Sequence, residues 1–371
     1  MSAEAGHRIP LADAERLAAD ILAAAGTPPD NATRVAHHLA DAEASGHASH
    51  GLIRIPQYVG RIRRRELIPD VQPLVVSEAG AVAVVDGLFG FGQIALEFAA
   101  DWAGQRAIQT GIAAAAVRHA THTGRLGAYV ERLAMRGLAS VVTVGAAGPG
   151  VGGMAPTGGK ERFLGANPWV FGIPSATGET VVVDVSMSTL AQGKVTLAAA
   201  SGESLPPGAI LDQDGQPTND PSKFERGSLV PLGGELAGHK GYGLALASAL
   251  LGALAILGDP TPSTIGASVQ PRYASSGPKA AGALVIAIDP SHFGNPELYL
   301  ALVEQVQRAA RQAIPRRADV PVRVPGDPER ASRLIAEREG LLVASPVWQA
   351  LIDLADELRV DSPSAERGDH L

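Results

Sequence analysis

Near residue 71 the spacing of apolar residues changes, and this constrains the fold more than any other feature of the chain. Before it, apolar residues recur at helical intervals. Leu11, Ala14, Leu17, Ala18, Ile21 and Leu22 share one face, and Gly26 supplies a left-handed stop. Thr27-Pro28-Pro29-Asp30 has the form of a second helix start, with Thr27 as its cap, and that helix runs to about Ala44. A third helix begins near Gly51 and carries Leu52, Ile55, Val59 and Ile62 as its stripe; the arginines at 61 and 63–65 read as its solvated C-terminal end. After residue 71 short apolar runs take over. Residues 74–76 and 81–85 read as a hairpin, and 112–117, 139–144, 169–173, 180–185, 284–288 and 320–324 as further strands. Helices are expected over 94–110, 126–136, 240–257, 296–313, 328–338 and 345–358, and the polar tail from Asp361 is expected to fray. Strands that alternate with helices in one place and pair as hairpins in another predict an α/β (α+β) fold, a mixed β-sheet covered by helices. Residues 1–70 and 327–371 are expected to form a helical subdomain, and 71–326 the mixed-sheet domain.

Composition excludes several classes. Lys and Arg number 31 against 38 Asp and Glu, a net charge of −7, which argues against a general nucleic-acid binder. Cysteine is absent, so disulfides, thiolate metal sites and cysteine nucleophiles are excluded. The first ten residues are polar and lack the apolar stretch of a secretory leader. The longest apolar run, 244–257, is shorter than the ~20 residues that span a bilayer, and reads as a buried core helix. These features are those of a soluble, cytoplasmic protein.

Gly148-Pro149-Gly150-Val151-Gly152-Gly153 fits G-x-G-x-x-G, but Met154-Ala155-Pro156 follows where a dinucleotide-binding helix should open. It reads as an irregular Gly-rich loop. Four other places can carry chemistry. Ser49-His50-Gly51 with Arg54 suits a carboxylate clamp, though spacing alone favours a surface Arg beside a capping Ser and a structural His. His119 and His122 lie between a strand and a helix, where histidines shuttle protons in α/β enzymes or bond to backbone. Asp184-Val185-Ser186 suits ribose hydroxyls, or starts a turn. Lys240, between Gly238-His239 and Gly241, suits an anionic or carbonyl-bearing ligand at a helix start. The pairs His47/His50 and His119/His122 have no companion ligand run, so no metal is expected. Residue types and spacing stop at an α/β enzyme that binds an anionic small molecule.

An ordered set of segments goes further. It comprises residues 49–58 (Ser-His-Gly-Leu-Ile-Arg-Ile-Pro-Gln-Tyr), Asp86-Gly87 through Gln93, His122-Thr123-Gly124-Arg125-Leu126-Gly127 and Gly165-Ala166-Asn167-Pro168. It continues through Asp184 to Gly193-Lys194, 212–221, Gly238-His239-Lys240-Gly241-Tyr242-Gly243, Ala287-Ile288-Asp289-Pro290 and Arg323-Val324-Pro325-Gly326-Asp327. The set resembles the malate/L-lactate/ureidoglycolate dehydrogenase family, also called sulfolactate-dehydrogenase-like, over nearly the whole chain. The resemblance implies a non-Rossmann nucleotide site in the mixed-sheet domain, NAD or NADP as cofactor, and a homodimer with its site near the subunit interface. It implies hydride transfer at C2 of a small 2-hydroxy or 2-oxo acid, with His122 as proton acceptor and Ser49, His50 and Arg54 on the substrate side. It assigns cofactor contacts to Asn167, Pro168, Asp184, Val185, Ser186, His239, Lys240, Gly241, Arg323, Pro325, Gly326 and Asp327, with Arg323 a candidate for a 2′-phosphate. The chain departs from the family pattern at Ala48, Ala146 and Ala166, each of which removes a polar group near the site. Two alternatives stand beside this reading: reduction of a cyclic imino acid of the pyrroline- or piperideine-2-carboxylate type, and a nucleotide-binding homologue without catalysis.

Overall fold

In chain order the elements are β1 (Gly6–Ile9), α1 (Leu11–Ala24), α2 (Pro29–Ala44), a 3-10 turn (Ala48–His50) and α3 (Arg54–Arg63). Then come β2 (Leu74–Ala79), β3 (Val82–Asp86), α4 (Gly92–Thr110), β4 (Ile112–Arg118), α5 (Gly127–Ala134) and β5 (Ala139–Ala147). They are followed by β6 (Trp169–Ile173), β7 (Val181–Val185), α6 (Gln192–Ser201), the short β8 (Ile210–Leu211), β9 (Pro217–Thr218) and β10 (Ser228–Leu229), and α7 (Gly234–Gly252). The last are β11 (Ala280–Ile288), α8 (Pro296–Arg311), α9 (Asp327–Glu339), β12 (Leu341–Ala344), α10 (Ser345–Leu358) and β13 (Glu366–Gly368). This computed structural model describes residues 6–257, 280–363 and 366–368.

The expected mixed sheet is present. Seven strands run in the order β2-β3-β4-β11-β5-β6-β7. Only β3 and β4 are parallel, and α4 provides the crossover that parallel neighbours require. β11 sits between β4 and β5, antiparallel to both, with Ile288 opposite Ile112 on one side and Ala139 on the other. Alternation along β4 serves two layers. Ala113, Ala115 and Val117 join a core with α4 and α5, while Ala114 and Ala116 meet the residues around Ala255. A second core brings α1–α3 together with β1, β12 and α10. There β1 pairs with β12 and β13, so the first and last described strands lie in one small sheet.

Several expectations are corrected. The second helix starts at Pro29, with no side-chain cap, and the Thr27 hydroxyl is buried without a partner. Residues 320–324 form no strand; Pro321 cannot donate to a ladder and Val320 is exposed. Part of the tail is ordered as β13, because β1 offers it an open edge. The expected core helix begins six residues early, at Gly234, and with the 3-10 turn after it spans Gly234–Ile256, 23 residues containing an 18-residue window of mean hydropathy 1.2. By length and composition that run could cross a bilayer. Here it packs on β5 and β11 along Ala245, Ser248, Ala249 and Gly252, while Leu236, Leu244, Leu250 and Leu254 are exposed. Gly145 and Gly252 make the approach possible, since a Cβ on either would overlap backbone of the facing element.

Candidate active site

The loop after β4 carries His122, and three backbone strains hold it. Leu88, Phe89 and His119 all adopt left-handed φ angles of 51°, 59° and 50°, which non-glycine residues rarely do. The Phe89 N–H donates to the His119 carbonyl at 2.6 Å and the two rings stack at 4.5 Å. The buried Asp86 carboxylate accepts from Leu88 N, Arg118 Nε and the His119 ring. A Cβ on Gly92 would lie 2.6 Å from the His122 carbonyl oxygen, so α4 can start against this loop only with glycine.

The second half of the site comes from the turn between α2 and α3. Leu52 N–H donates to the Glu43 carboxylate at 2.9 Å, and a Cβ on Gly51 would overlap that carboxylate. Burial pushes the Glu43 carboxyl up to about 7, against the pull of the Leu52 N–H. The turn so fixed sets His50 against His122: Nδ1 of His50 lies 3.2 Å from Nε2 of His122, with the rings parallel and 5.2 Å apart. On its far side, His122 Nδ1 lies 2.7 Å from the Tyr58 hydroxyl, which also receives Gln93 Nε2–H at 2.7 Å. Burial holds His50 down to about 4 and His122 well below the usual imidazole range, helped in each case by Arg54. Both rings are therefore neutral near pH 7. Arg54 follows one turn on. Its Nε donates to the Ser49 carbonyl at 2.6 Å and its Nη1 to Gln57 at 2.9 Å, which orients the guanidinium and leaves Nη2 for a ligand.

The end of β7 adjoins the start of α5 and the turn that carries His47. Gly127 N–H, at the start of α5, donates to Asp184, whose carboxyl is raised by its crowded surroundings against the pull of His47 and Arg125. A Cβ on Gly193 would come 3.9 Å from Ser49 Cβ, so the first turn of α6 adjoins the same wall. Met187 N–H donates to the Ala166 carbonyl and Leu232 N–H to the Met187 carbonyl, aligning the 165–168, 184–188 and 231–232 segments side by side. Ser49, His50, Arg54 and His122 are thus brought together, while Asp184 lies beside His47 and the start of α5.

Other expected contacts do not join it. Asn167 is buried in a left-handed conformation (φ 43°), with its amide bonded to both backbone groups of Ala146 and to the Ala245 carbonyl; it is a strut between β5 and α7. The Pro168 carbonyl accepts from Thr143. Val185 and Ser186 continue from Asp184, with the Ser186 hydroxyl 2.9 Å from that of Ser188. Gly241 packs on Leu232 backbone, while His239 and Lys240 are exposed in the second turn of α7 and not at a buried helix start. Pro325 accepts from Val182 N–H, and Gly326 takes φ 99°. Asp327 is held by Arg311, Arg330 and Val324 N–H, and the Arg311 hydrogen bond keeps its carboxyl far below the usual range. Arg323 is exposed beside an apolar cavity of about 430 Å³ lined by Ile173, Val181, Leu302 and Val306. Tyr58, Gln93 and Glu43 join the site with little signal in the sequence: Tyr58 lies one helical turn beyond Arg54, but nothing local marks the other two.

The donor set fits a nicotinamide dinucleotide. Beyond the His50–His122–Arg54 cluster, the Asp184 carboxylate and the Ser186 hydroxyl have the chemistry for ribose hydroxyls, and Lys240 and Arg323 are exposed cations with the chemistry for phosphates. Comparison with known proteins bears on the family. The chain matches the description malate/L-lactate dehydrogenase over residues 9–352. It is 37% identical over 304 residues to a (2R)-3-sulfolactate dehydrogenase (NADP(+)) of Chromohalobacter salexigens, covering 80% of this chain and 87% of that protein. It is 32% identical over 345 residues to a Δ1-pyrroline-2-carboxylate reductase of Ancylobacter novellus, covering 93% and 96%. Its fold is similar to that of sulfolactate dehydrogenase from Methanocaldococcus jannaschii, with a TM-score of 0.81 and 28% identity over 95% of this chain and 98% of that one. With a non-Rossmann mixed sheet, paired histidines beside an arginine, and a family match that runs almost end to end, the chain belongs to the malate/L-lactate dehydrogenase family.

Proposed function

We propose that the protein is an NAD(P)-dependent oxidoreductase that moves a hydride to or from C2 of a small 2-hydroxy or 2-oxo acid. The observation that carries this is the neutral His50–His122 pair beside the oriented guanidinium of Arg54. Arg54 Nη2 holds the substrate carboxylate, with Ser49 at the same wall. Both ring nitrogens of His122 are engaged, by Tyr58 and by His50, so the proton of the C2 hydroxyl reaches His122 through His50. A bound nicotinamide supplies the hydride acceptor or donor, held by Asp184, Val185 and Ser186 with Lys240 and Arg323 as the cationic side. We further propose a cytoplasmic homodimer, for which the exposed apolar residues of α7 (Leu236, Leu244, Leu250) and of α8 (Leu298, Leu302, Val306) are the support.

The test is the absorbance of reduced nicotinamide. NADH and NADPH are each paired with pyruvate, oxaloacetate, sulfopyruvate, a bulky 2-oxo acid and a cyclic imino acid. Turnover with a 2-oxo acid is expected, and Arg54→Ala should raise KM for it with a smaller effect on kcat. An unchanged KM would place the carboxylate elsewhere. Turnover with the imino acid alone would favour the second reading, which rests on the pyrroline-2-carboxylate reductase relative. Cofactor binding without any turnover would mark a non-catalytic homologue.

A further inference from the structure

Gln93 has no part in the steps above and Tyr58 enters them only as the partner of His122 Nδ1, yet the two are the most completely buried polar groups of the site, 1% and 0% exposed. They begin a hydrogen-bonded file that runs from Gln93 through Tyr58 and His122 to His50, with steps of 2.7, 2.7 and 3.2 Å. Each internal member has one proton to give and one lone pair to receive, so the direction at one end fixes the direction at the other. An amide nitrogen only donates. With Gln93 Nε2 facing it, Tyr58 turns its own proton to His122 Nδ1, toward which Gly124 N–H also points at 3.4 Å. His122 then carries its proton on Nε2 and donates it to His50 Nδ1. His50 in turn carries its proton on Nε2, the nitrogen not engaged in the file.

The other half of the same amide is idle. Gln93 Oε1 is buried and has no partner. Buried carbonyl groups are nearly always satisfied, and one left open beside a hydrogen-bonded file is a place where the file can reverse. If the amide turns over, Oε1 accepts from Tyr58, Tyr58 accepts from His122 Nδ1–H, and His122 Nε2 accepts from His50 Nδ1–H. Every ring keeps one proton and the total charge is unchanged, but His50 Nε2 is now bare.

We propose that Gln93, acting through Tyr58, sets whether His50 offers the cleft a proton or a lone pair. Both are positioning residues, since they act only through the two histidines. The inference rests on the reading of His50 and His122 as the proton-exchanging pair. The two polarities suit the two halves of that reaction. A 2-hydroxy acid gives its C2 hydrogen, with the bonding electron pair, to oxidised nicotinamide, and its hydroxyl proton needs the bare Nε2. A 2-oxo acid presents a carbonyl oxygen, which the Nε2–H of the other polarity can meet. The charged and titratable groups facing His122 are Arg54 and Arg61 on α3, His50 before it and His38 on α2. Neither member of the Gln93–Tyr58 pair adds a charge near pH 7; burial raises the Tyr58 hydroxyl further above its ordinary range.

The experiment is nitrogen NMR of the full-length protein labelled in its histidine rings, with the His122 signals assigned by their loss in His122→Asn, read beside steady-state kinetics. In the wild-type protein His122 is expected as the Nε2–H tautomer. Gln93→Glu, read at pH 9 where the carboxylate can only accept, should move that proton to Nδ1. Gln93→Met should leave a mixture. Tyr58→Phe should lower kcat by about 10²-fold while KM for the acid stays within a few-fold, the pattern of a residue that fixes a tautomer. If both Gln93 variants keep the wild-type tautomer and kcat, the proposal is overturned, whether or not Tyr58→Phe folds. A Tyr58→Phe loss carried by KM alone also overturns it. Tautomers that respond as described, in a protein that turns over no 2-oxo or imino acid, would keep the file and remove the dehydrogenase reading.

Discussion

Arg125 and His122 lie on the same loop, three residues apart, and their side chains enter two different kinds of cluster. Arg125 is almost completely buried and meets two carboxylates, Asp41 on α2 and Glu131 on α5. Arg333 on α9 meets the same two, at 2.8 and 2.7 Å. Two cations and two anions close on each other, and of the Arg125 donors only Nε is left over. The cluster ties three helices to the loop and has nothing to offer a ligand. The His122 cluster contains no formal charge near pH 7. Its members are neutral rings, a phenol and an amide, it ends in an idle carbonyl oxygen inside, and His50 Nε2 lies outside its hydrogen bonds. Buried polar groups whose bonding is complete stabilise and specify a fold; those whose bonding is incomplete can take up or release something.

The largest effect that would test this contrast is on stability. Arg125→Met leaves Asp41 and Glu131 with one cation in place of two, and should lower the free energy of unfolding by about 3 kcal/mol, the scale for breaking a buried pair. Urea unfolding measures it, and the folded fraction should retain most of its turnover. If turnover instead collapses while stability holds, the two clusters are not separable. His122→Asn should do the reverse, lowering kcat by about 10²-fold with little change in Tm. The smallest effect is in pH dependence. His38 is held down to about 3 and His50 to about 4, mainly by burial, and His122 well below its ordinary value. Below 6.5 the unfolded chain binds protons that these folded rings refuse, so the stability they contribute is complete above 6.5 and is lost as pH falls toward 4. Glu43 opposes this. With its carboxyl raised from 4.5 to about 7, the folded state binds the extra proton over that range, and the stability so gained is lost as pH rises through 7. Three rings outweigh one carboxyl, so Tm should fall on acidification from pH 6.5 to 4.5, and fall more steeply in Glu43→Gln. A slope unchanged in that variant would mean that Glu43 does not titrate in this window.

The sheet and its covering helices were legible because apolar spacing is a local signal. Strands such as 112–117 and 169–173 were placed within a residue or two, and the change of period near residue 71 marks where β2 begins. What stayed hidden has non-local causes. β1, β12 and β13 are three or four residues long and exist because each finds the others across the chain. The early start of α7 is set by Gly233 and Gly234, both left-handed, where no apolar period is visible. At the site, His50, Arg54 and His122 carry chemistry in their residue types and could be nominated from sequence. Gln93 could not, because a glutamine after a glycine says nothing until Tyr58 is seen beside it. Asp327 and Asn167 show the converse. They sit in segments that match the family pattern, yet their polar atoms are taken up by neighbouring side chains and backbone. Resemblance locates a segment near a cofactor; only the hydrogen bonds tell which of its atoms are available.

The pairing of Gly6–Ile9 with Leu341–Ala344 bears on how the molecule comes into being. The core of α1–α3 is closed by Leu341, Val343, Trp348 and Leu351, partners synthesised more than 270 residues after α3. During translation those three helices are therefore made early and wait with their apolar faces uncovered, while the sheet domain is completed in between. Loop closure over such a distance is slow relative to local pairing. The N-terminal helices are thus exposed to aggregation in the nascent chain until β12 and α10 are made and seal them.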